Sequence, residues 1–207
     1  MAKQINFEQN HNKGFNVMKK IKEILILIIG ILIFLVSYVL DQPINSFFKG
    51  FRFAPLDFIF SIITNFGVVV FVMLIIPLIL LFNKNKKKGF VLLMAFIISI
   101  VSSFIIKLIV LRHRPTELIN FPFINVADYS FPSMHASAVF SLLPLLNNYL
   151  PRQKYFWISF TLLVAFTRIY FRFHFLSDVV FGALFGYFIG YSILVIFEKK
   201  KYGNKQI

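Results

Sequence analysis

The sequence predicts an all-α integral membrane protein, a bundle of six transmembrane helices with both termini in the cytoplasm. Two observations carry that expectation. Of the 207 residues 58% are hydrophobic and 18% aromatic, and the mean hydropathy is +0.79, which leaves too little polar surface to cover a water-soluble globule. The basic residues, responsible for a net charge of +14, fall in short clusters between apolar runs instead of on one soluble face. The expected partner is therefore the bilayer and not nucleic acid.

Crossing a hydrocarbon core roughly 30 Å thick takes about 20 apolar residues in a helix. Runs of that order lie near Ile24–Leu40, Phe58–Phe82, Phe90–Leu111, Met134–Leu150, Tyr155–Tyr170 and Val179–Phe197. The first run ends in Leu-Val-Ser-Tyr-Val-Leu-Asp, without an Ala-x-Ala-like cleavage site, so it reads as a retained helix and not a signal peptide. A polar tail over residues 1–20, a six-helix membrane domain over 21–200 and a short tail over 201–207 complete the expected organisation. The chain has no cysteine, which excludes disulfides and thiolate metal sites.

Orientation follows from Lys and Arg in the short loops. Lys19, Lys20 and Lys22, then Lys84 and Lys86 to Lys88, then Arg152 and Lys154, then Lys199 to Lys201 all fall on one side, the expected cytoplasmic side. Tyr149, Tyr155 and Trp157 at that boundary read as interfacial anchors. The opposite loops hold Lys49, Arg52, Arg112, Arg114 and Arg172, with Lys107 and Arg168 just inside adjoining helix ends. Those outer cations need a local reason, because charge near a bilayer is costly unless it serves a site.

Three groups supply one. Lys107 and Arg114 stand seven residues apart, almost two helical turns, and can share a face if the helix persists to Pro115. Taken alone, they better suit a snorkelling Lys and a loop Arg. Phe131-Pro132-Ser133-Met134-His135 looks like a helix start, where free N–H groups bind anions and where an unpartnered imidazole is costly. His174 and Asp178, after Arg168, are four apart, so the carboxylate can hold one imidazole N–H and leave the other nitrogen nucleophilic. An ion pair stapling a helix start fits that pair equally well. Gly182, Gly186 and Gly190 continue from Asp178 at four-residue spacing, a smooth ridge for close helix packing.

The expected topology brings all three groups to one outer face. Three cations, free helix N-termini and two imidazoles describe a phosphate site in which one imidazole attacks phosphorus and the other protonates the leaving oxygen. No carboxylate cluster points to Mg²⁺ or a two-metal clamp, so neither metal nor cofactor is expected.

Over Lys107–Asp178 the sequence resembles the type 2 phosphatidic-acid phosphatase superfamily, which also contains vanadium-dependent haloperoxidases and glucose-6-phosphatase. Lys107 to Pro115 matches the family's Lys, six residues, Arg-Pro. Pro132, Ser133 and His135 match Pro-Ser-Gly-His, with Met134 in place of Gly. Arg168, His174 and Asp178 match Ser-Arg, five residues, His, three residues, Asp, with Thr167 in place of Ser. The resemblance implies that His174 is the nucleophile forming a phosphohistidine, that Asp178 orients it and that His135 is the general acid. It further implies that Lys107, Arg114, Ser133 and Arg168 bind the phosphate and that no metal is needed. The implied substrates are lipid phosphomonoesters or pyrophosphates: phosphatidic acid, phosphatidylglycerol phosphate or undecaprenyl pyrophosphate. A lipid phosphotransferase with an alcohol acceptor is the second expectation, motivated by Met134. A phospholipid carrier is the third, and has no use for two imidazoles and a carboxylate.

Overall fold

In the computed structural model, the described residues are 25, 26, 28–51, 53–116 and 129–203, with side chains placed up to residue 198. The expected tail over 1–20, Lys19, Lys20, Lys22, Arg52, residues 117–128 and the side chains of Lys199 to Lys201 lie outside them. The chain divides into two compact units, 1–36 and 37–207.

The regular elements among the described residues are helices, without a β-strand. In chain order the helices are α1 (Ile28–Val39), α2 (Asp41–Gly50), α3 (Ala54–Thr64), α4 (Phe66–Lys84), α5 (Lys86–Val110), α6 (Met134–Tyr149), α7 (Lys154–Tyr170) and α8 (Leu176–Gly203). Among them α4, α5 and the Leu176–Glu198 part of α8 are long and apolar enough to cross a membrane, and α1 with α2 forms a fourth candidate if the bent pair is one span. Helices α6 and α7, with 16 and 17 residues, reach only about 24–26 Å, at the lower end of crossing length.

The expected single span Phe58–Phe82 is two helices. Asn65 breaks it: its backbone is extended (φ −60°, ψ 124°), and its side chain accepts hydrogen bonds from the N–H groups of Gly67 and Val68, capping α4. Periodicity cannot register this break, because both flanks are equally apolar. Pro77, which has no N–H to offer the preceding turn, follows a wider π turn at Phe71–Ile75 inside α4.

Helix α6 is buried nearly all round, with Val139, Leu142, Leu145 and Leu146 at the centre of a core shared with Met73 and Leu74 of α4, Leu92 of α5 and Val164 of α7. Large apolar side chains on the outward faces, including Ile109, Phe104, Leu162 and Phe188, remain exposed, which suits lipid. Against α8, α6 packs backbone on backbone. A Cβ on Gly182 would come within 2.7 Å of the Ser133 carbonyl oxygen, and those on Gly186 and Gly190 would run into the backbone of Ser137 and Ser141.

Tyr155 is exposed, as an interfacial anchor would be, whereas Tyr149 and Trp157 are buried in the core, with Lys88 lying over the Tyr149 ring. Their anchor role is therefore corrected: both pack α6 and α7 against the rest of the bundle. The basic junctions Lys84/Lys86 and Arg152/Lys154 sit where α4 meets α5 and where α6 meets α7. Lys107, Ser133 and Arg168 occupy the other ends of α5, α6 and α7, and Asp178 lies at the start of α8.

Candidate active site

Four helix ends supply the site. Helix α5 does not persist to Pro115: it ends at Val110, and Leu111 turns left-handed (φ 52°) to close it. The shared helical face expected for Lys107 and Arg114 is thus replaced by a short extended segment, tied to the other side of the loop by a bridge between His113 and Tyr129 and by the Ser130 N–H donating to the Arg112 carbonyl. Lys107, buried in the last turn of α5, donates from Nζ to the Tyr129 carbonyl at 2.6 Å. Arg114 reaches the same region from the extended segment and donates to the Phe173 carbonyl at 2.6 Å.

Ser133 caps α6, accepting the Ala136 N–H at 3.5 Å, while its own N–H donates to the Asp178 carbonyl at 3.1 Å, so the starts of α6 and α8 are tied together. Met134 is the first residue of α6 and is half-buried. His135 follows, its Nε2 lying 3.1 Å from the Thr64 carbonyl, to which it must donate, and its ring edge against Phe66. Arg168 of α7 donates to the Thr64 hydroxyl at 2.6 Å and stacks over Phe173, but its buried Nε–H has no partner. An N–H left in that condition is a vacant hydrogen-bond donor for an anion.

His174 lies in the turn between α7 and α8 and is 3% exposed. Its Nδ1 is 2.7 Å from the Ser130 carbonyl oxygen, which can only accept, so the proton resides on Nδ1. Nε2 consequently presents a lone pair, 3.2 Å from Arg114 Nη1. Burial holds this imidazole well below the ordinary histidine value; Arg114, Arg168 and Lys107 act in the same direction, and the bond to the Ser130 carbonyl opposes them. The ring is neutral near neutral pH, with its lone pair on Nε2.

Asp178 does not hold the imidazole N–H, contrary to the sequence expectation. Its Oδ2 is 3.8 Å from His174 Nδ1 and accepts instead from the Phe175 N–H at 2.8 Å, the backward half of a capping box at the start of α8. Its Oδ1 pairs with Arg112 Nη1 at 2.7 Å. The bond that orients the ring comes from a backbone carbonyl and leaves no residue-type pattern. Thr167 likewise turns its hydroxyl to the Val164 carbonyl of its own helix and not to the site.

Residues that no motif singles out complete the arrangement. Thr64 holds both His135 and Arg168. Arg112 forks between Asp178 and Asp41, and Asp41 also accepts from the backbone N–H and hydroxyl of Ser177. Arg172 joins Asn45 and the Pro115 carbonyl, fastening α2 to the extended segment, so it is more than a solvated loop cation; His113 is exposed. Among the described residues no group of three His, Cys, Asp or Glu side chains is placed to hold a metal ion.

A family profile described as the PAP2 superfamily matches residues 88–202. Undecaprenyl-diphosphatase from Sulfolobus acidocaldarius is 31% identical over 120 residues, covering 55% of this chain and 57% of that relative, so the match spans little more than half its length. Among solved structures, a PAP2-type phosphatidylglycerolphosphate phosphatase from Bacillus subtilis superposes with a TM-score of 0.63 at 21% identity, covering 82% of this chain and 94% of that one, a likeness of fold. Aquifex aeolicus LpxE superposes with a TM-score of 0.62 at 26% identity, covering 75% and 94%.

Proposed function

Because this chain belongs to the PAP2 superfamily, whose profile spans more than half of it, we propose that it is a lipid phosphatase that needs no metal and works through a phosphohistidine on His174. The observation that carries the reading is the state of His174: Nδ1–H is committed to the Ser130 carbonyl, and the Nε2 lone pair faces the cations.

In the proposed reaction Nε2 attacks phosphorus and the P–O bond to the lipid breaks. His135 enters this step as the imidazolium, favoured by the charge of the bound phosphate: its Nε2–H stays on the Thr64 carbonyl and its Nδ1–H passes to the leaving oxygen, which leaves the ring neutral. Lys107, Arg114, the vacant Nε–H of Arg168 and the start of α6 at Ser133 neutralise the nonbridging oxygens. Water then attacks the phosphohistidine while the neutral His135 takes its proton back onto Nδ1; the P–N bond breaks, Nε2 of His174 regains its lone pair and inorganic phosphate leaves. Asp178, 3.8 Å from Nδ1, supplies negative charge beside the ring while it is cationic.

The substrate is a lipid phosphomonoester or pyrophosphate, and the relatives' names keep undecaprenyl pyrophosphate and phosphatidylglycerol phosphate foremost, with phosphatidic acid beside them. The proposed arrangement in the membrane is six spans with cytoplasmic termini and the site on the outer face. It rests on the basic α4–α5 and α6–α7 junctions lying at the helix ends away from the site.

Purified protein in detergent should release phosphate from at least one of these three lipids, with chelator present. His174→Ala should lower that rate by about a thousandfold or more. Phosphate release that survives the substitution, or that chelator abolishes, would overturn the mechanism. Label passing only into a new lipid would make the protein a transferase.

A further inference from the structure

Asp41 lies at the start of α2, far in sequence from every motif, yet it is 3% exposed and carries three hydrogen bonds. Its Oδ1 accepts the Ser177 N–H at 2.8 Å, and its Oδ2 accepts the Ser177 hydroxyl and Arg112 Nη2, the latter at 2.7 Å. Arg112 in turn donates Nη1 to Asp178 and to the Ser177 hydroxyl, each at 2.7 Å, and lies over the Phe175 ring. A chain of charge thus runs Asp41, Arg112, Asp178, and ends beside His174.

The signs matter. Arg112 alone would cancel Asp178, and the His174 ring would then face three cations with no opposing charge from this side. With Asp41 bound to the second arm of the guanidinium, the triad keeps one net negative charge. That charge is useful when phosphoryl sits on Nε2: the ring then carries a positive charge with its proton still on Nδ1, and stabilising that state stabilises the path to it.

We propose that Asp41 is a positioning residue for the phosphoryl-transfer step, holding Arg112 against Asp178 while cancelling the charge of Arg112, so that the Asp178 carboxylate remains available to the His174 ring. The inference rests on the phosphohistidine mechanism proposed above. Asp41 touches no reacting atom and acts only through its two neighbours. It also caps α8 through Ser177, a purely structural role that an amide oxygen can fill.

Asp41→Asn separates the two roles, because it keeps an acceptor for the Ser177 N–H and removes the charge. The experiment compares wild type, His174→Ala, Asp41→Asn and Asp41→Asn with Arg112→Gln in detergent, by thermal melting and by phosphate release from undecaprenyl pyrophosphate and from phosphatidic acid. Asp41→Asn should melt cooperatively and lose about tenfold or more in kcat with KM within about threefold of wild type. Removing Arg112 as well restores the net negative charge, so the double variant should regain at least about fivefold in kcat over Asp41→Asn.

Wild-type kcat in Asp41→Asn overturns the proposal, as does a loss that the double variant does not recover. If Asp41→Asn fails to fold, the double variant decides alone: kcat within about fivefold of wild type supports charge balancing. A folded but inactive double variant, or one that also fails to fold, overturns it. Inactive wild type or active His174→Ala counts against the proposed function itself, so the two failures are distinct.

Discussion

The proton on His174 is fixed by a carbonyl that belongs to neither of its sequence neighbours, and this sets the pH behaviour of the site. Burial and three cations hold the ring below the ordinary histidine value, so in the free enzyme it stays neutral as pH falls through about 6.5. The acid limb of kcat/KM should therefore lie below pH 6.5 once the ionisation of the substrate is measured separately. Protonation of the unfolded chain begins first, so stability also declines as pH drops below about 6.5. A limb at or above 6.5 assigned to His174 by NMR would contradict the buried, cation-flanked ring. Spacing, the expected topology and the family resemblance together single out Lys107, Arg114, Ser133, His135, Arg168, His174 and Asp178 in the sequence. Asp41, Thr64 and Arg112 are not legible in that way, because they find their partners across 65 to 136 residues of chain, and such pairs leave no local period.

Among the elements, α6 and α8 depend on each other most. The glycine ridge is visible in the sequence at positions 182, 186 and 190, but the serine backbone that it meets at 133, 137 and 141 is not, since serine at helical spacing is unremarkable by itself. Buried Ser137 also takes part in hydroxyl contacts with Ser99 and Ser103 of α5, at 2.9 and 2.8 Å, so a third helix is keyed to the same seam. Gly186→Ala is the sharpest probe. Helix propensity favours Ala by about 1 kcal/mol, whereas the added methyl would strike the Ser137 backbone. The steric term should win, lowering stability by at least about 2 kcal/mol in a detergent melt. A raised melting temperature would mean that the helices stand further apart. The break at Asn65 was hidden for the opposite reason: hydropathy reports a continuous run and is blind to a side chain that caps.

For the whole molecule, composition is enough to indicate helices in lipid, but helix lengths do not by themselves deliver six crossings. Among the described residues three helices satisfy length and apolarity outright, while α6 and α7 lie at the lower end of crossing length, with the site at one end and the basic junction at the other. Single cysteines can decide the proposed topology against a clean background, since the chain has none of its own. Cysteine at Asn85 or Gln153 should react with an impermeant maleimide only in opened cells, and cysteine at exposed His113 in intact cells. Labelling of all three from the same side would exclude the arrangement.

The seam between α6 and α8 has one more consequence, for the route a lipid takes. A gap that cannot accept a methyl group beside Ser137 cannot pass a polymethylene or isoprenoid chain either. The contact between α6 and α8 is thereby closed to a hydrocarbon chain, along a line that starts at the site itself, where the Ser133 N–H meets the Asp178 carbonyl. The hydrocarbon tail of any bound substrate must leave the headgroup by another side, and a diazirine carried on that tail should label helices other than the facing surfaces of this pair.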